Sequence, residues 1–370
     1  MNKIFIEDCC EILDSMRVPI TASKREIGEY PYYGANGIQD YVADYIFDDE
    51  LVLLAEDGGN FGSKERPIAY RVSGKCWVNN HAHVLKPKVG LDIDYLCYSL
   101  MFYKVDGLIN GATRKKLTQA AMRKMQIPFR SIKEQIHIVN ELNRIIKIKE
   151  KRQEELKLLD NLIKARFVEM FGDVIHNERK WECRKFSDIT ASRLGKMLDT
   201  KHQTGTCQYS YLANFNVQWF GFELKNLNKM DFNEKDREEF CLEDGDLLVC
   251  EGGEIGRCAV WHNQVENCFF QKALHRVRCN QEIILPDYLA WWFKYNCDHG
   301  GFVAIEGAKA TISHLTGAKM KMLNVTVPPI GLQKQFTSFV NQVDKSKVAV
   351  QKALDETQIL FDSLMQKYFG

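Results

Sequence analysis

No stretch of this chain approaches the eighteen or so apolar residues that a membrane-crossing helix needs. The opening residues, MNKIFIEDCCEILD, lack the apolar centre of a secretion signal. A soluble, cytoplasmic protein with no membrane partner is expected. The twelve cysteines include no CxxC pair, and their spacings (Cys9 beside Cys10, Cys250 with Cys258, Cys268 with Cys279) match no zinc template. A chain of 370 residues needs no disulfide to hold a core, so the thiols are expected to be reduced and mostly buried. Catalytic signatures are missing too. There is no GxxxxGKS or GxxxxGKT phosphate loop. Amino-methyltransferases carry an Asn/Asp-Pro-Pro-aromatic turn, whereas the sole Pro-Pro here, Pro328-Pro329, lies between Val327 and Ile330. GGNFGS (58–63) and GGEIGR (252–257) resemble glycine-rich nucleotide loops without the full strand–GxGxxG–helix context. Their recurrence favours structural turns, because glycine permits positive φ in a tight hairpin. An excess of one charge is also absent. The net charge is +1, not the strongly basic balance common in dedicated nucleic-acid binders. The chain is therefore not expected to be an enzyme, nor to hold a metal or cofactor.

What is present is a duplication. IPFRSIKEQ (127–135) and VPPIGLQKQ (327–335) each open a long amphipathic helix, and the helices run out at EMFG (169–172) and KYFG (367–370). Pro128 and Gln135 answer to Pro328 and Gln335, 200 residues on. EDGGNFG (56–62) echoes CEGGEIG (250–256), and GATRKKL (111–117) echoes GAKATISHL (307–315). Hydrophobic content of 45% and aromatic content of 11% fit globular modules, each able to bury a core.

The first long helix is expected to start at Ser131, with Glu134 at capping-box spacing, and to end at Gly172. Its apolar stripe runs through Ile132, Ile136, Val139, Leu142, Ile145 and Ile146. KEKRQEE (149–155) interrupts it, and it resumes with Leu156, Leu159, Leu162, Ile163 and Phe167. At about 1.5 Å per residue this makes a rod roughly 60 Å long. The last helix carries two seven-residue series, Phe336-Val343-Val350-Thr357-Leu364 and Val340-Lys347-Leu354-Phe361-Tyr368. Eight of these ten positions are apolar, the seam of a coiled coil whose partner is the first helix, run antiparallel. The fold expected is α+β: mixed globules at 1–130 and 173–330, separated by long helices at 131–172 and 331–370, in a pseudo-two-fold repeat.

Several side chains fit nucleic-acid contact. Arg114, Lys115, Lys116, Arg123 and Lys124 belong to a run between Gly111 and Lys133 that holds seven basic residues and no acidic one, dense enough to follow phosphates. The segments YPYYGANGIQ (30–39) and YSYLANFNVQW (209–219) mix aromatic rings with amides able to read adenine, the rings at loop tips suited to pack on sugars or thymine methyls. Tyr33 and Asn36, then Asn214, Asn216 and Gln218, are the candidates there. Asn60 and Lys64 follow the first glycine loop, Arg257 the second. His81 and His83 alternate on a strand and face one side, with Lys272, His275 and Arg276 at the matching place in the second half. A metal would need a third ligand that the spacing does not nominate. Lys309 and His314 complete the set in the second basic turn, which is the less basic of the two. Core strands with polar turns, or a solvated basic face, account for the same residues.

The ordered pair of GATRKKL, IPFRSIKEQ and LLDNLIKARFVEMFGD (158–173) with GAKATISHL, VPPIGLQKQ and LDETQILFDSLMQKYFG (354–370) resembles the specificity subunit of type I restriction-modification systems, along essentially the whole chain. The resemblance implies two target recognition domains, each reading half of a split, asymmetric site in double-stranded DNA. It implies rods that set the unread spacer and dock two copies of a methyltransferase subunit. That subunit would carry S-adenosylmethionine, and a translocase–nuclease subunit can join. Two alternatives stand beside it: a coiled-coil scaffold binding protein partners without reading DNA, and the recognition part of a related, differently organised restriction system.

Overall fold

Two forty-residue helices, Ile132–Phe171 (the central helix) and Ile330–Phe369 (the C-terminal helix), dominate the computed structural model of the chain. It describes residues 2–111, 115–199, 203–302 and 314–370. The chain divides into two units, Met1–Glu154 with Val350–Gly370, and Glu155–Ala349, so each unit draws on both long helices.

In the first unit, Phe47–Ala55 is a central strand with Ala69–Val78 and Ala82–Pro87 on either side, in a six-stranded sheet. Both its faces are covered, and this explains the unbroken run LVLLA. Val52 and Leu54 enter the core shared with helix Ile93–Met101 and the long helices, while Leu51 and Leu53 enter a smaller core behind the sheet. Cys10–Ile12 lies at one edge of the sheet, and the hairpin Ile27–Gly34 with Gly37–Val42 at the other. A two-stranded ladder pairs Lys3–Phe5 with Gln126–Pro128 and so closes the module on itself.

The second unit repeats the order with a split sheet. Thr190–Leu194, Leu274–Cys279, Leu247–Cys250 and Cys258–Val260 form one sheet, and Asn228–Asp231, Gln208–Leu212 and Phe269–Phe270 a second. Helix Pro286–Asp298 stands where Ile93–Met101 stands in the first unit, and Glu182–Lys185 pairs with Asn324–Val327 as the closing ladder. The α+β class and the internal repeat are as expected. All twelve cysteines are unbridged and seven are buried.

The long helices pair antiparallel within each unit. In the first, Arg130 donates to the Tyr368 carbonyl (2.9 Å), Tyr368 Oη to Glu141 (2.6 Å), and Lys149 and Arg152 reach Gln358 and Thr357. In the second, Lys347 meets Asp160 (2.8 Å) and Phe336 packs on Phe167 and Phe171 (both 5.4 Å between ring centres). All ten heptad positions of the C-terminal helix are buried or half-buried. The stripe expected on the central helix is only partly the seam. Ile132, Ile136 and Leu162 are exposed, while Ile138 is buried instead. The capping box forms at Ser131, whose amide donates to Glu134 Oε2 (3.0 Å), and Gly172 ends the helix at φ +71°.

The register of the repeat differs from the expected 200. Ile132 and Ile330 begin the helices and Phe171 and Phe369 end them, an offset of 198 throughout. Gln135 therefore answers to Gln333, not Gln335: Gln333 is fully buried and Gln335 exposed. The cause is local. Pro329 stands where Ser131 stands, its carbonyl accepting from the Gln333 amide as Ser131's does from Gln135 (3.3 and 3.0 Å), so matching proline to proline misplaces the second copy by two residues.

Candidate nucleic-acid interface

Three segments meet at one end of the first module: the turn at Ala35–Asn36, the glycine loop after Glu56, and the basic stretch ending at Leu117. Asn36 Nδ2 donates to the Gly58 carbonyl (2.9 Å), and the Leu117 amide donates to the Glu56 carbonyl (2.7 Å). Gly58 and Gly62 turn at φ +63° and +84°, where a Cβ would be strained. The second module assembles the same junction. Asn214 Nδ2 donates to the Gly252 carbonyl (2.9 Å), and the Leu315 amide donates to the Glu251 carbonyl (2.7 Å). Asn36 and Asn214, each preceded by alanine, are thus equivalent, a match hidden inside two segments that otherwise diverge.

Beneath the first junction lies a buried polar cluster. His83 Nδ1 is 2.7 Å from Asp14 Oδ2 and Nε2 is 2.8 Å from the Leu117 carbonyl, so both ring nitrogens face acceptors. Arg17 pairs with Glu56 (2.6 Å) and donates to the Ala82 carbonyl (2.8 Å), while Lys116 takes the other Glu56 oxygen (2.9 Å). Burial pushes the Glu56 carboxyl up, but Arg17, Lys116 and His83 outweigh it and hold the group below the ordinary range. Asp14 behaves likewise: burial raises it, and His83, the Val84 amide and Gln119 bring it lower than usual. Asp14, Glu56 and His83 bring three ligand-type atoms within 4.8 Å. Arg17 and Lys116 already satisfy the carboxylate between them, so the protein's own cations hold this cluster together. Among the described residues the second module has no such set. His275 is buried with Glu251 4.0 Å away, and desolvation lowers it below the usual histidine range.

These placements revise the candidate list. His83, His275 and Asn216 are interior residues and present nothing outward. The Asn216 carboxamide is used within its own turn, accepting from the Ala213 amide and donating to the Glu223 carbonyl (both 2.9 Å). His81 and His83 do not act as a pair, for His81 lies in the turn before the strand with Nδ1 2.7 Å from Asp57. Arg257 is tied to Asn214 Oδ1 (2.7 Å), and Arg276 to the carbonyls of Glu239 and Cys241 (3.0 and 3.1 Å). Tyr33 is half-buried against Tyr70, and Asn60 and Arg123 are half-buried. Asn36, Lys64, Lys115, Lys116 and Lys124 are exposed in the first unit, and Gln218, Lys272 and His314 in the second, with the His314 ring against Gly252. Arg114 and Lys309 lie outside the described residues. Sequence reasoning missed Asp14, Arg17 and Gln119, whose partners are distant in the chain. Within the flagged segment 209–219, Phe215 is exposed and Trp219 half-buried, its Nε1 donating to Glu254 (2.5 Å). Among the described residues, no helix is long and apolar enough to cross a membrane.

A module that joins three segments at one junction, built twice and carried each time on a pair of long helices, defines a class of internally duplicated two-module proteins. The profile of the type I restriction modification DNA specificity domain matches residues 1–158 and 178–357, and the chain belongs to that family, whose role is DNA sequence recognition. A Haemophilus influenzae protein described as a type I restriction enzyme specificity subunit is 26% identical over 350 residues, 92% of this chain and 86% of that one. The Escherichia coli type I restriction enzyme EcoprrI specificity subunit is 26% identical over 119 residues, 32% of this chain and 28% of its own. The solved type I S subunit from M. genitalium matches the fold with a TM-score of 0.57 at 14% identity, covering 100% of this chain and 96% of that chain. A chain from a structural study of complex assembly and conformational transition in the type I restriction-modification system matches with a TM-score of 0.62 at 13% identity and the same coverage.

Proposed function

We propose that this chain is the non-catalytic reading subunit of a type I restriction-modification assembly, each module reading one half of a bipartite, asymmetric site in double-stranded DNA. The observation that carries the reading is the repeated loop junction: the Asn–glycine-loop contact is the same in both modules, while the side chains around it differ. Similar frames with dissimilar surroundings suit unlike half-sites. Lys64, Lys115 and Lys124 in the first unit supply phosphate contact, and the exposed Asn36 and Gln218 have the donor and acceptor pair that base edges require. The paired helices dock methyltransferase subunits, two copies, which bind S-adenosylmethionine and methylate adenine. A translocase–nuclease subunit joins for cleavage. Mapping methylated bases in cells that carry this chain and its methyltransferase tests the reading. The expected outcome is one motif of two specified blocks around an unspecified spacer, and a single continuous motif contradicts it. DNA binding by the assembly that does not weaken with salt would favour a protein scaffold instead.

A further inference from the structure

Each unit contains one glutamine with no exposed surface in the first turns of its long helix, and the two make the same three bonds. Gln135 Oε1 accepts from the Asp92 amide (2.8 Å), and its Nε2 donates to the carbonyls of Gly90 (3.0 Å) and Arg130 (2.9 Å). Gln333 Oε1 accepts from the Leu285 amide (2.8 Å), and its Nε2 donates to the carbonyls of Ile283 (3.0 Å) and Pro328 (2.8 Å). Asp92 and Leu285 are the residues from which the globular helices Ile93–Met101 and Pro286–Asp298 start. One carboxamide therefore ties two backbone segments in each unit: the chain just before the long helix, and the turn that leads into the globular helix, which it grips at two points.

We infer that Gln135 and Gln333 are positioning residues that set the angle at which each reading module leaves its long helix, and so restrict the spacer that the assembly accepts. Apolar packing alone could bury the same surface. It is non-directional, however, and lets two packed elements rotate or slide by small amounts. Three hydrogen bonds spread over two backbone segments are directional and weaken steeply when bent. A carboxamide alone combines two donors with an acceptor at this length. Glutamate lacks the donors and methionine lacks both. The surrounding residues differ freely between the units, Ser131 against Pro329 and Asp92 against Leu285, while this three-bond pattern is kept. The tyrosines beside it repeat as well, with Tyr95 Oη donating to the Pro128 carbonyl (3.0 Å) and Tyr288 Oη to that of Thr326 (2.9 Å).

This inference rests on the DNA-reading proposal, and its test separates the two. The full chain is assembled with its methyltransferase, as wild type and as the single variants Gln135→Met and Gln333→Met, each leaving one unit intact. Methylation rates are measured on duplexes carrying the mapped half-sites with the native spacer, one base pair less, or one more. The wild type is expected to prefer the native spacer. Each variant is expected to lose about tenfold of that preference, the size of one unmet buried hydrogen-bonding group, with base preference inside each half-site unchanged. Thermal unfolding is followed in parallel, and a variant that does not assemble is replaced by glutamate at the same position. A preference equal to wild type, whether or not the unfolding temperature falls, overturns the positioning role and leaves the glutamines structural. Wild-type assembly that methylates none of the duplexes overturns the DNA-reading proposal itself.

Discussion

His83 and His275 occupy equivalent strand positions and are held in different ways. His83 belongs to an ionic cluster whose charges need one another, because a carboxylate left alone in that environment is strongly penalised. Replacing Arg17 by Met removes one of the two cations on Glu56, leaves Lys116 as the other, and is expected to destabilise the first unit by about 1–3 kcal/mol in urea unfolding. Asp14 and Glu56 sit below their ordinary range in the fold, so their contribution is present above the unfolded carboxylate value and fades as pH falls through the folded one. His275 is lowered by burial, so the unfolded chain takes up its proton first. Its contribution is complete above about pH 6.5 and is lost as pH falls below that toward the folded value. Unfolding followed between pH 7.5 and 5 should show this loss, and His275→Gln should flatten it. At the surface, Lys115→Ala is expected to reduce the log–log salt slope of DNA binding by about 1 without changing sequence preference.

At the scale of elements, the seam of the C-terminal helix was legible because heptad periodicity is local, and Phe336 through Tyr368 fall where the repeat puts them. The break in the stripe at 149–155 had a meaning that periodicity does not contain. Lys149 and Arg152 cross to Gln358 and Thr357, so the polar positions of one helix face those of the other. Replacing both members of one such pair, Arg152→Leu with Thr357→Val, is expected to raise the unfolding midpoint of the assembly's reading subunit, a gain of about 1 kcal/mol or more. A lower midpoint would show that the polar pair stabilises the seam. Non-local features were the ones misread. Gln333 was passed over for Gln335 because its partners, Ile283 and Leu285, lie about fifty residues away, and His83 was placed outward because Asp14 is not adjacent in the chain. The Ala-Asn match at 35–36 and 213–214 is two residues long, too short to stand out until Gly58 and Gly252 appear beside it.

For the whole molecule, the duplication is conserved in its framework and varied in its loops. The closing ladders, the globular helices behind them and the buried glutamines repeat in the same order. The sheets do not: one six-stranded sheet in the first unit is two sheets in the second, and among the described residues the ionic cluster beneath the first junction has no counterpart beneath the second. A reader of two identical half-sites would have no use for this divergence. Exchanging residues 1–130 for the corresponding module of a relative, with residues 131–370 retained, and sequencing the methylated bases tests this most directly. The account predicts a motif in which one block changes and the other block remains. A motif unchanged in both blocks, or changed in both, would contradict it.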